Sequence, residues 1–394
     1  MTYNQRPNPP QSRTLTQPWR QLPAILLRSR WCVILDRRGL DRWTGGTVSA
    51  LRVMIASPLE VEYVERIRQS LPDNVEMIYE PDLYPPTLYT ADHHGGSDFK
   101  RIDADEARWR ELASTADILF DFPVARVHPH QYAPNVKWIQ TTSAGVGQAA
   151  QRMGIKPGEI IITTASGVHA RPLTEFVFLV LLMAVKEHDR LARDQQAHRW
   201  ERFCSDELSG KTLAIVGPGR IGREVARIAR CFDMRPVALA RDCRPERAAE
   251  LGVDRVYTRD EMTEMVASAD AVVLCAPHTP ETENIMDRRA FDALKPGAIF
   301  VNIGRGQLVD EAALLERLQD GTIRFAGLDV FRTEPLPSDS PFWDLPNVLI
   351  NPHSASTSDR ENGRITDIFI HNLHCFTEGR TGDMRNVLDI ERMY

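Results

Sequence analysis

Residues 212–222 read Thr212-Leu-Ala-Ile-Val-Gly-Pro-Gly-Arg-Ile-Gly222. A short apolar run leads into glycines spaced G-x-G-x-x-G, and the apolar-periodic stretch Val225-Ala-Arg-Ile-Ala229 follows. That order is strand, tight turn, helix. Each glycine has a separate job. Gly217 allows the turn, Gly219 lets backbone approach a diphosphate, and Gly222 lets the helix pack close to its strand. The helix N-terminus, with Arg220 and Ile221 in its first turn, offers N–H groups and a positive dipole end to the diphosphate charge. The motif therefore predicts a dinucleotide site. An NAD site places a carboxylate on the ribose about 20 residues on, at the end of the next strand. Here that strand ends Val237-Ala-Leu-Ala-Arg241, with Arg244 three residues further. Guanidinium groups suit a 2′-phosphate, so the sequence favours NADP over NAD. Asp242 would reverse this if the turn shifted by one residue.

Working outward, strand candidates at residues 212–216, 236–240, 271–275, 298–302, 325–330 and 348–351 alternate with helix candidates at 221–231, 287–294 and 311–319. This is the pattern of a doubly wound parallel sheet. Upstream, strand candidates at 52–56, 75–79, 118–120, 136–140 and 160–163 form a second such set, with a Pro-, His- and Gly-rich loop at 81–96. The expectation is an α/β protein of two doubly wound domains: a Rossmann dinucleotide-binding domain at 166–353, and a flavodoxin-like substrate domain at 51–165 with 354–394. A long helix is expected from Pro172 to about Arg193, and a helical tail from Ser354 to Glu378.

Residues 1–48 carry five prolines and no acidic group before Asp36. They read as an unstructured or spurious leader, with a transit-like peptide as the alternative that the prolines weaken. The 394 residues have a formal net charge of −6, which leaves no electrostatic footprint for nucleic acid or an anionic membrane. The apolar run 176–185 is too short to span a bilayer. It is broader than one amphipathic stripe, which fits a dimer helix or a buried linker helix. Six cysteines lie scattered with no C-x-x-C pair, as expected of a reducing, cytoplasmic setting. No metal site is expected: His93-His94 and His371/His374 lack matching partners and read as surface groups.

Three further segments carry a resemblance: Val301-Asn-Ile-Gly-Arg-Gly-Gln-Leu-Val-Asp-Glu311, Gly327-Leu-Asp-Val-Phe-Arg-Thr-Glu-Pro335 and Asn351-Pro-His-Ser-Ala355. With the glycine motif, they make the chain from about residue 52 onward resemble the D-isomer-specific 2-hydroxyacid dehydrogenase family. The resemblance implies an NAD(P)-dependent oxidoreductase interconverting a small 2-oxo acid and the D-2-hydroxy acid. It implies that Arg305 binds the substrate carboxylate and polarises the carbonyl, that His353 is the acid–base, and that Glu334 orients the imidazole. It also implies that the backbone of Ser143, Ala144, Gly145 and Val146 holds the carboxylate, although Gly147 stands where the family commonly has an acidic residue. Asp329 would bond the nicotinamide carboxamide. Ala276, Pro277, Thr279, Ile303, Gly304, His353 and Ala355 would line the rest of the cofactor groove. A homodimer is the implied assembly.

Two rival readings share these residues. A formate dehydrogenase would resemble the chain in the histidine, but has glutamine where this chain has Glu334. A dinucleotide-sensing corepressor can keep the same trio, so the trio does not separate it from an enzyme.

Overall fold

The computed structural model describes residues 50–96, 98–123 and 127–392; the expectation for residues 1–48 lies outside them. Two parallel sheets are formed. The first contains β1 (Leu51–Ile55), β2 (Val75–Ile78), β3 (Ile118–Phe120), β4 (Trp138–Gln140) and β5 (Ile161–Thr163), in the order β2-β1-β3-β4-β5. The second contains β6 (Thr212–Val216), β7 (Arg235–Leu239), β8 (Val256–Tyr257), β9 (Ala271–Leu274), β10 (Ala298–Asn302), β11 (Ile323–Leu328) and β12 (Val348–Ile350). Its order is β12-β11-β10-β9-β6-β7-β8. The middle strands β6, β9 and β10 are buried along their whole length, as a sheet covered on both faces requires. The strand order reverses between β6 and β9, the point at which open sheets of this kind bind ligands beyond their strand C-termini.

Helices cover both sheets. On the first lie α1 (Val61–Gln69), α2 (Asp103–Ser114) and α3 (Gly147–Arg152). Then come α4 (Ala170–Val185), α5 (His188–Gln196), α6 (Arg220–Cys231), α7 (Arg247–Leu251), α8 (Met262–Ser268), α9 (Arg288–Asp292) and α10 (Glu311–Gln319). Finally α11 (Glu361–Thr377) returns to the first lobe, where Ile365, Phe369 and Leu373 pack with Val53, Ile55 and Phe120. Residues 386–388 follow it back to β5: Asn386 O accepts from Thr164 N and Leu388 N donates to Ile162 O.

The structure departs from the sequence reading in several places, among them helices α7 and α8, which were not expected. The long helix breaks after Val185, because Glu187 takes a left-handed conformation (φ 51°) and starts α5 on a new axis. The tail is helical only from Glu361. Strand β8, two residues long, was not expected. His93 is not a surface group: its side chain is nearly buried, 4.0 Å from Glu361. No helix among the described residues is long and apolar enough to cross a membrane.

Candidate active site

The glycine loop behaves as its spacing requires. Gly217 has φ +90°, and a Cβ there would lie 2.6 Å from the Cα of Ala276 at the end of β9. A Cβ on Gly222 would lie 2.8 Å from the carbonyl oxygen of Gly217, so only glycine lets α6 sit this close to β6. A Cβ on Gly219 would meet nothing within 4 Å. The space over Gly219 is thus open to a ligand, as a diphosphate approaching backbone needs. Arg220 turns the other way, donating from Nη1 to the Ser166 carbonyl at 2.9 Å. Ile221 is half-buried beside it. Ala276, Ile303 and Gly304 are buried at the neighbouring strand ends, and Gly304 packs on the Ala276 carbonyl. Thr279 is held in its loop by Thr282, whose hydroxyl accepts from Thr279 N and donates to the carbonyl of Pro277.

Beyond β7 the charges are distributed unequally. Asp242 accepts from Arg244 Nε with both oxygens at 3.0 Å and lies 3.8 Å from Arg247. The Arg244 side-chain hydrogen bonds hold Asp242 below the usual carboxylate range. Arg244 is also within 3.4 Å of Glu250. Arg241 is exposed at the strand end, and its charge acts on Glu281.

The expected trio gathers at the C-termini of β10, β11 and β12. Glu334 is fixed at one oxygen by the Phe331 N–H (2.9 Å) and takes the His353 Nδ1–H at the other (2.8 Å). That bond assigns the proton of the neutral ring to Nδ1 and leaves Nε2 as the outward nitrogen. His353 sits at φ 53°, with its N–H donated to the carbonyls of Asp329 (2.9 Å) and Asn351 (3.0 Å). Asp329 Oδ1 collects the N–H groups of Ser354 (2.9 Å) and Ala355 (3.0 Å) and the Asn351 amide. The carboxylate therefore shapes the loop that carries His353, and its Oδ2 takes no hydrogen bond from a described residue.

Arg305 follows β10 in a turn clamped by Asn302, which accepts from Gly304 N (3.1 Å) and donates to Arg305 O (3.0 Å). Burial pushes the guanidinium below its ordinary range, and the charges of Glu334 and Asp329 pull it back. It remains a cation at neutral pH. Its Nη2 lies against Gly145 of the other lobe, where a Cβ would be only 2.8 Å away. The loop of Ser143, Ala144, Gly145 and Val146 is thus brought to Arg305. Ser143, Ala144 and Gly145 are exposed, and their N–H groups donate to no described residue.

Two side chains that shape this cleft were not singled out from the sequence. Asp121 follows β3 at φ 77° and accepts from the Thr142 hydroxyl at 2.9 Å, fixing the base of the 143–146 loop. An acidic residue directly after a buried apolar strand was the available signal. Gln148 reaches across the cleft to the His278 carbonyl (3.2 Å). A His128–His130–Glu159 grouping also forms. However, His128 Nδ1 accepts from His130 N, which keeps the ring proton on the nitrogen facing Glu159, where a metal ligand needs a lone pair.

Residues 178–355 match the family model "D-isomer specific 2-hydroxyacid dehydrogenase, NAD binding domain". The chain is 35% identical over 240 residues to D-3-phosphoglycerate dehydrogenase of Mycobacterium tuberculosis, covering 60% of this chain and 44% of the relative. The match thus spans less than half the length of that relative. It is 34% identical over 256 residues to glyoxylate reductase of Korarchaeum cryptofilum, covering 63% of this chain and 75% of the relative. The solved structure of a D-isomer specific 2-hydroxyacid dehydrogenase family protein from Aeromonas salmonicida superposes with a TM-score of 0.71 at 26% identity, over 87% of this chain and all of that one. A family model matched over 178–355 and a relative covered over three quarters of its length at 34% identity show that the chain belongs to the D-isomer-specific 2-hydroxyacid dehydrogenase family.

Proposed function

We propose that the protein is an NAD(P)-dependent reductase and dehydrogenase interconverting a small 2-oxo acid and its D-2-hydroxy acid. The observation that carries this reading is the approach of Arg305 Nη2 to Gly145, beside a histidine whose ring is fixed by Glu334. The uncommitted N–H groups of 143–145 and the Arg305 fork together suit a carboxylate. Arg305, partly desolvated, also polarises the adjoining carbonyl more strongly than it would in water. His353 delivers a proton from Nε2 to the carbonyl oxygen and removes it in the reverse direction. Glu334 keeps the ring oriented and balances the imidazolium. A dinucleotide fits the open space over Gly219, the first turn of α6 and the buried strand ends at Ala276 and Gly304; when bound it supplies or accepts the hydride.

The reading favours NADP. The carboxylate that would serve an NAD ribose, Asp242, is engaged by Arg244 and Arg247, while Arg241 stands at the strand end. Work in the cytoplasm and assembly as a homodimer belong to the same proposal. The described cysteines are all free thiols, and α4 carries an exposed Leu179.

Steady-state oxidation of NADPH and NADH with glyoxylate, hydroxypyruvate, phenylpyruvate and 2-oxobutyrate tests this. Arg305→Ala and His353→Ala should each lower kcat/KM by about 100-fold or more while dinucleotide still binds. Turnover surviving both changes would refute the site. Binding of NADPH with no turnover on any acid would favour a dinucleotide-sensing role. A strong NADH preference would overturn the role given to Arg241.

A further inference from the structure

We propose that the cleft between α6, the segment 167–171 and α11 is a second anion site. It would take a small polyanion bearing phosphate or carboxylate groups, separate from the dinucleotide diphosphate. The cleft encloses about 350 Å³ and is lined by Arg171, Arg220, Arg223, Arg227, Arg364 and Glu224. Five guanidinium groups thus face one carboxylate, in a chain whose formal net charge is −6. Like charges held together repel, and an anion placed among them relieves that repulsion. Planar forks that can bond bidentately are the side chains that best recognise phosphate and carboxylate oxygens.

The cleft is also preorganised. Arg220 donates from Nη1 to the Ser166 carbonyl (2.9 Å), and Arg364 from Nη1 to the Val168 carbonyl (3.2 Å). Both guanidinium groups are therefore held in place with further N–H groups to offer. Glu224 takes Arg227 in a two-point pair at 2.8 Å for each contact. The guanidinium groups of Arg171 and Arg223 make no hydrogen bond and no close ion pair with a described residue, and the Arg171 charge acts on Glu224 from a distance. Positions 220, 223, 224 and 227 share one face of α6 at helical spacing.

The cleft is not the diphosphate site. Of the residues expected around the cofactor, only Arg220 borders it. Arg227 is seven residues further along α6, about 10 Å of helix rise, beyond the reach of a phosphate seated over Gly219. The lining also joins the two lobes: α6 packs on the second sheet, and α11 packs on the first. A bound anion would tie them at the point where the chain crosses between them, which gives it a means of modulating closure.

Calorimetric titration of the full chain with inorganic pyrophosphate, and separately with citrate, in about 150 mM sodium chloride tests the site without relying on turnover. Saturable binding at one site per chain is expected, and it should persist when NADPH is saturating. The double variant Arg171→Gln/Arg223→Gln should bind the anion about tenfold or more weakly, with its melting temperature and NADPH affinity unchanged. The proposal is overturned if NADPH abolishes anion binding, which would place the anion over Gly219. Non-saturable binding, which is charge screening only, or equal affinity in the variant overturns it too. Should the chain fail to bind NADPH, the proposed function fails, yet the comparison of variant with wild type still decides the anion site.

Discussion

Gly217 and Gly219 stand two residues apart and answer to different constraints. Gly217 needs a left-handed backbone and lies against the backbone of Ala276, just beyond β9, whereas Gly219 has empty space where a side chain would begin. Gly217→Ala should therefore destabilise the folded chain by about 2 kcal/mol or more, read as a lower melting temperature. Gly219→Ala should leave the melting temperature nearly unchanged and weaken dinucleotide binding, measured by fluorescence titration. If both variants melt like wild type, the assignment of separate roles is wrong. Glu334→Gln keeps a carbonyl oxygen for His353 Nδ1–H but removes the charge that balances an imidazolium. We expect kcat to fall by roughly 100-fold with dinucleotide affinity retained. At this scale the glycines, Arg305, Glu334 and His353 were legible because motif spacing and family resemblance fix them. The burial of His93 against Glu361, and the capture of Asp242 by Arg244 and Arg247, were not. The first depends on a neighbour that local sequence does not name, Glu361 lying 268 positions from His93 by their residue numbers; the second joins close neighbours, but whether their side chains turn toward one another or toward a ligand is set by the backbone of the turn.

Strands buried on both faces gave the clearest signal at the level of elements. Residues 212–216, 298–302 and 118–120 are strands with the expected bounds, because uninterrupted apolar runs flanked by turn residues have few other uses. The break between α4 and α5 escaped the same reasoning: Glu187 adopts a left-handed conformation with no Gly or Pro to announce it. Strand β8 is too short to show a period. One ion at the base of the second sheet gives this scale its own test. Asp270, just before β9, accepts from Thr212 N at 2.7 Å and from Lys295 Nζ at 2.9 Å, so it ties the starts of β6 and β9 to the turn before β10. Burial pushes its carboxyl up, but these bonds outweigh that and leave it below its ordinary value of 3.8. A depressed folded-state value means the contribution is fully present above the unfolded value and lost as pH falls through the folded one. Asp270→Asn should therefore cost about 1 kcal/mol at pH 7, and the gap between variant and wild type should close below about pH 4. A gap that is the same at pH 3 and pH 7 in denaturant titrations would remove the charge from the explanation.

Among the described residues of the whole molecule, several large apolar side chains around α4 and α5 stay exposed. Leu179 on α4 is 49% exposed, Leu191 on α5 is 47% exposed, and Trp200 in the segment that follows is 96% exposed. Elsewhere α4 is well buried: Val177, Val180, Leu181 and Val185 fill the core against β10, β11 and α6. Its apolar run therefore serves two sides, and only one of them is covered by the described residues. A tryptophan alone buries roughly 150–250 Å², and at about 25 cal/mol per Å² the gain from covering these groups is several kcal/mol before the cost of association. We propose a second copy of the same chain as the occupant, since a two-fold contact can bury the exposed side of α4 on both copies. Sedimentation equilibrium at micromolar concentration should give twice the chain mass of 44.6 kDa. Leu179→Asp should shift the equilibrium to one chain mass, because an unpaired carboxylate would then be buried in the contact, while an Ala at position 191 should weaken it less. Wild type sedimenting at one chain mass throughout that range, or Leu179→Asp remaining fully paired, would exclude α4 as the contact.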